Sequence, residues 1–108
     1  MFFEESLNRE GAGLITIHLQ SLGNRCYLLI NSGKAVLIDP PLAHWRILDF
    51  IRGRDLKLVG VVDSHIHNDF VSGSPEISST LKAPHFAPKI ARREVIGAEP
   101  LGEDRKII

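Results

Sequence analysis

An α/β layer is the fold class this sequence predicts: a mixed, mostly antiparallel sheet with helices on one face. Three observations predict it. Apolar residues alternate or cluster in short runs through residues 14–38, a helical spacing replaces them at 45–51, and a near-continuous apolar run follows at 56–62. A length of 108 residues points to a single domain, 1–108, with a core of its own.

The elements follow in order. Leu14-Ile15-Thr16-Ile17-His18-Leu19 has the alternation of a half-buried strand, and Ser21-Leu22-Gly23-Asn24 reads as a turn. Cys26 to Ile30 is a second strand, and Asn31-Ser32-Gly33-Lys34 is a hairpin connection to a third, Ala35 to Ile38, which Asp39-Pro40-Pro41 ends. Trp45, Leu48 and Ile51, with Ile47 and Phe50 beside them, predict a helix near 42–52, with Trp45 as its core anchor and Gly53 at its end. Leu56 to Val62, broken only by Lys57 and Gly60, predicts a strand buried on both faces. A second helix, near 74–82, starts at Ser74-Pro75-Glu76: Ser74 caps it, Pro75 suits its first turn, and Glu76 suits the positive end of the dipole. Pro84 stops it. His85-Phe86 is a short strand, Pro88 to Val95 a short basic helix, and Leu101-Gly102-Glu103-Asp104 a turn. Arg105-Lys106-Ile107-Ile108 reads as the start of a strand that something else completes.

Composition narrows the function. Lys plus Arg and Asp plus Glu number 13 each, so no strong field favours nucleic acid or an anionic membrane. No apolar run approaches the roughly 18 residues of a spanning helix. The opening Met1-Phe2-Phe3-Glu4-Glu5 is acidic where a signal peptide is basic. The lone Cys26, among Tyr27-Leu28-Leu29-Ile30, reads as a buried strand thiol and fits a reducing, cytoplasmic setting.

The chemistry-bearing run is Ser64-His65-Ile66-His67-Asn68-Asp69-Phe70. His65, His67 and Asp69 stand at i, i+2 and i+4 just past a buried strand, so extended backbone places them on one side. Two imidazoles and a carboxylate there offer ligands for zinc, iron or manganese. The alternative is a turn carrying two solvated histidines. His18 and His44 read as surface or strand residues, and His85 as structural.

The stretch from Asp63 to Gly73 resembles the THxHxDHxxG signature of the metallo-β-lactamase superfamily, most closely its glyoxalase II and persulfide dioxygenase branch. Asn24-Arg25-Cys26-Tyr27-Leu28-Leu29 and the strand end Val36-Leu37-Ile38-Asp39-Pro40 fall in the same family order. The resemblance implies the N-terminal half of an αββα sandwich, with a second αβ layer over the other sheet face in the whole fold. It implies that His65 and His67 bind one metal. Asp69, the catalytic candidate, serves a second metal where one is present, and Asp39 supports the metal loop through hydrogen bonds.

Two departures qualify what the resemblance implies. Phe70 stands where the family places a second-metal histidine, and a phenyl ring cannot ligate. The family's further histidine and bridging aspartate come from segments downstream of this sequence. The expectation is therefore one divalent ion, zinc or iron, weakly bound. The activity implied is that of a metal-dependent hydrolase or sulfur dioxygenase acting on a thioester or persulfide of a small thiol, completed by a homo-oligomer partner or a complementing chain. The competing expectation is an inactive relative serving as a binding or assembly module.

Overall fold

The hairpin at residues 31–34 turns on two consecutive left-handed residues, Ser32 at φ 53° and Gly33 at φ 80°. That pair makes a type I′ turn, whose twist matches the strands it joins. In the computed structural model, which describes residues 2–9, 12–19, 24–41, 44–64, 73–88 and 99–101, this hairpin sits at the centre of one sheet. The strands are β1 (Phe2–Arg9), β2 (Ala12–Leu19), β3 (Asn24–Asn31), β4 (Lys34–Ile38), β5 (Lys57–Val62), β6 (His85–Pro88) and β7 (Glu99–Leu101). The helices are α1 (Trp45–Gly53), between β4 and β5, and α2 (Ser74–Leu81), between β5 and β6.

The strands lie side by side in chain order. β1 to β4 pair antiparallel, and β4 to β7 pair parallel. The change of sense has a simple cause. Connections of only two to four residues separate the strands from β1 to β4 and reverse the chain, whereas α1 and α2 are crossovers that return it in the same direction to β5 and β6. β1 and β7 are additions to the five strands expected across these residues. β7 carries Pro100, which a sheet tolerates at an edge because it needs no ladder N–H there.

Alternation sorts the side chains onto two faces. Ile15, Ile17, Cys26, Leu28, Ala35 and Leu37 form one cluster with Ile47, Leu48 and Ile51 of α1 and Ile77 of α2. Val36, Val62 and Phe86 cluster separately, with Ile38 and Val59 beside them. In β5, Leu58 and Val61 share the helix-covered side although they are three apart. A register shift explains it: Ala35 pairs with Leu58 and Val36 with Gly60, leaving Val59 as an extra, bulged residue. Full burial of Ile47, Ile51 or Ile77 contributes about 1.5–3 kcal/mol each by area transfer.

Two expectations about α1 are corrected. Trp45 is 67% exposed, not a core anchor. It shares an outward arc with Asp49 and Arg52, while Ile47, Leu48 and Ile51 take the inward one. His44, expected at the surface or in a strand, is buried just before the helix. Its carbonyl accepts the amides of Ile47 and Leu48, and its Nδ1 lies 3.3 Å from the Pro41 carbonyl.

β1 is tied to the end of α1. Arg54 grips Glu5 with two nitrogens at 2.9 and 3.3 Å and lies over the Phe50 ring, which Phe3 meets edge-on. The Arg54 guanidinium holds the Glu5 carboxyl below its usual range. Cys26 is fully buried as expected, and burial, with the charge of Asp39 adding, pushes its thiol far up. No helix among the described residues is long and apolar enough to cross a membrane. The segments expected at 88–95 as a helix and at 105–108 as a strand start fall outside the described residues, apart from Pro88, which ends β6.

Candidate metal centre

His65, His67, Asp69 and Phe70 lie outside the described residues, as does the rest of 65–72. Among the described residues no group of three or more His, Cys, Asp or Glu is placed to hold a metal ion. What the structure describes is the frame from which that segment departs and to which it returns.

The departure point is Ser64, two residues past the end of β5. Its amide donates to Asp39 Oδ1 at 2.8 Å, and its hydroxyl donates to Asp39 Oδ2. Asp39 ends β4 in a left-handed conformation, φ 57°, which aspartate tolerates better than most side chains. Its own amide donates to the Val62 carbonyl at 2.8 Å. The parallel pairing of β4 with β5 thus extends by one residue and turns the carboxylate towards Ser64.

The return point is Gly73, and the same three-residue stretch receives it. Its amide donates to the Pro40 carbonyl at 2.8 Å. A Cβ at Gly73 would stand 2.1 Å from the Pro41 carbonyl oxygen and 3.0 Å from His44 Nδ1. Only glycine lets these backbones approach so closely. Gly73 is also the N-cap of α2, without a side-chain cap bond. Ser74, expected to cap, lies inside the helix, and its hydroxyl donates instead to Asp63 Oδ1 at 2.7 Å.

Asp63 joins the two ends. One carboxylate oxygen receives Ser74, and the other lies 2.8 Å from His85 Nε2. All three residues are buried: Asp63 at 6%, Ser74 at 0% and His85 at 4% exposure. The Asp63 amide donates to the Phe86 carbonyl, which fixes β5 to β6 at this point. His85 therefore occupies a strand as expected, but with a polar partner that the sequence reading did not name. The available signal was the polar pair Asp63-Ser64 at the end of an apolar strand.

Both carboxylate oxygens of Asp39 and of Asp63 meet protein donors. The donor set His65, His67 and Asp69 is of the nitrogen and oxygen chemistry that suits zinc or iron. The frame and the donor set are compatible.

Comparisons with known proteins agree with this fold. The family model of the metallo-beta-lactamase superfamily matches residues 21–107. Hydroxyacylglutathione hydrolase of Bdellovibrio bacteriovorus is 31% identical over 62 residues, which is 57% of this chain and 24% of that protein. A metallo-beta-lactamase from Staphylococcus aureus superposes with a TM-score of 0.78 at 17% identity, over 94% of this chain and 32% of the other. ETHE1 from Myxococcus xanthus superposes with a TM-score of 0.60 at 21% identity, over 99% of this chain and 44% of the other. The chain thus spans about a quarter of the curated relative and a third to under a half of these solved structures. With the fold and a family match across most of its length in accord, the chain belongs to the metallo-β-lactamase superfamily.

Proposed function

We propose that residues 1–108 form part of a metal-dependent hydrolase or sulfur dioxygenase of the glyoxalase II and persulfide dioxygenase kind. Its substrate class is a thioester or persulfide of a small thiol. The observation that carries this reading is the double clamp of Asp39 and Asp63 around 65–72, the segment holding two histidines and an aspartate at alternate positions. Support also comes from the likeness to a hydroxyacylglutathione hydrolase.

In this reading His65 and His67 hold one zinc or iron ion, and Asp69, whose family counterpart serves a second metal where one is present, is the acid-base candidate beside it. Asp39 supports the segment from behind through Ser64. A bound divalent ion supplies Lewis acidity and lowers the pKa of a coordinated water. The chain's own part is to keep the two imidazoles on one side, to hold Asp69 near the reacting group, and to fix both ends of the segment. A catalytic centre of this type needs three protein ligands and an open position. Further donors come from beyond these 108 residues, on the same polypeptide or on a partner. Phe70 favours one ion over two, since it removes an imidazole where the family signature has one.

Metal analysis of protein purified without added metal, with turnover of a glutathione thioester and a glutathione persulfide, tests the reading. One equivalent of zinc or iron and turnover of either substrate is the expected result. Metal-free protein that takes up neither ion would leave the reading without support.

A further inference from the structure

We propose that His85 is a positioning residue for the metal-binding segment, acting through Asp63. This rests on the reading of His65 and His67 as ligands. Asp63 is two positions before His65, and the direction of its side chain and backbone sets where the segment leaves the sheet. The backbone is held by the bond from the Asp63 amide to the Phe86 carbonyl. The carboxylate is held between Ser74 on α2 and His85 on β6. Two elements, α2 and β6, therefore converge on one side chain at the root of the segment.

His85 carries the distinctive part of this arrangement. It is 4% exposed and pairs across the ladder with Val61, which places it on the helix-covered face below the start of α2. A buried carboxylate is held firmly only where its oxygens meet donors. Ser74 supplies one donor from the helix, and the His85 ring nitrogen supplies the other from the sheet. Without the ring donor, the Asp63 carboxylate keeps its bond to α2 but loses its side-chain bond to β6, leaving only the backbone bond to Phe86 on that side. Groups that orient metal ligands in this indirect way change affinity by about 10–100-fold when removed.

The test uses the full chain, with zinc affinity measured by competition with a chromophoric chelator and the visible spectrum of the cobalt(II) form as a second readout. The variants are His85→Leu, which fills the space without a donor, and His85→Gln, whose terminal amide reaches Asp63. His67→Ala removes a ligand, and Ile51→Val lightens the core under α1. The expected result is that His85→Leu weakens zinc binding about 10–100-fold and alters the cobalt spectrum, while His85→Gln restores most of both. Ile51→Val lowers the melting temperature and leaves zinc affinity unchanged.

Wild-type zinc affinity in His85→Leu, with binding lost in His67→Ala, would overturn the positioning role and leave the ligand reading intact. Wild-type affinity in His67→Ala would instead sink the ligand reading and this proposal with it. An equal loss in Ile51→Val would show that general destabilisation is the cause, which also overturns it. If His85→Leu does not fold, His85→Asn replaces it: its shorter amide stays polar but falls short of Asp63. Equal zinc affinity in the Asn and Gln variants would overturn the proposal, and weaker binding by Asn supports it.

Discussion

Asp39, just after β4, receives both the amide and the hydroxyl of Ser64, two residues past the end of β5. One side chain thereby fixes the point where residues 65–72 begin, and its neighbours Pro40 and Pro41 receive Gly73, where they end. Asp39→Ala removes both acceptors from a buried site, which costs about 1–3 kcal/mol. It also places alanine in the left-handed region, adding about 1–2 kcal/mol. Asp39→Asn keeps one acceptor and tolerates the conformation, so it is expected to cost less than half as much. Urea unfolding of the two variants beside the wild type measures both.

His67→Ala is expected to abolish zinc or iron(II) binding. Phe70→His is expected to strengthen binding or add a second ion, since it supplies an imidazole at the position where the family signature has one. Isothermal titration gives stoichiometry and affinity together. No gain in either from Phe70→His would mean that donors beyond these residues limit the site.

Gly73→Ala tests the close approach directly. Gly73 has φ −84°, so the backbone conformation suits alanine and only space opposes it. The added carbon meets the Pro41 carbonyl oxygen at 2.1 Å, a backbone atom that must move. A destabilisation of about 1–3 kcal/mol, the usual range for overpacking, is expected in thermal or urea unfolding. A variant as stable as the wild type would show that Pro40-Pro41 yields freely.

Cys26 makes a prediction about pH. Its thiol is pushed up in the folded protein, first by burial and then by the charge of Asp39, from an ordinary value of 9.0. The folded state keeps the proton while the unfolded chain releases it. The stabilisation is therefore complete below pH 9.0 and declines as pH rises above it. The slope approaches about 1.4 kcal/mol per pH unit for one group. Urea unfolding at pH 8 and pH 10.5 should show a larger fall for the wild type than for Cys26→Ala. An equal fall in both would place the alkaline sensitivity elsewhere. At neutral pH the native thiol should react with a disulfide reagent only after unfolding.

The period of the apolar residues determined β2 to β5 and α1, because a strand or helix shows its buried face within a few residues of sequence, and Ser74-Pro75-Glu76 with Pro84 marked α2 as locally. The type I′ hairpin at Ser32-Gly33 was equally local. β1 and β7 were not legible: each is stabilised by its neighbour in the sheet, β2 for one and β6 for the other. Trp45 was read as core on its size, but its bearing on α1 opposes that of Ile47, Leu48 and Ile51, and the sheet lies on their side. The candidate ligands His65, His67 and Asp69 and the support Asp39 came from spacing and resemblance to a family. The meeting of Asp63, Ser74 and His85 depends on a helix and a strand brought together by the parallel β5-α2-β6 crossover, over separations of 11 and 22 residues. Only tertiary structure decided it, because a hydrogen bond between distant residues leaves no period in the chain.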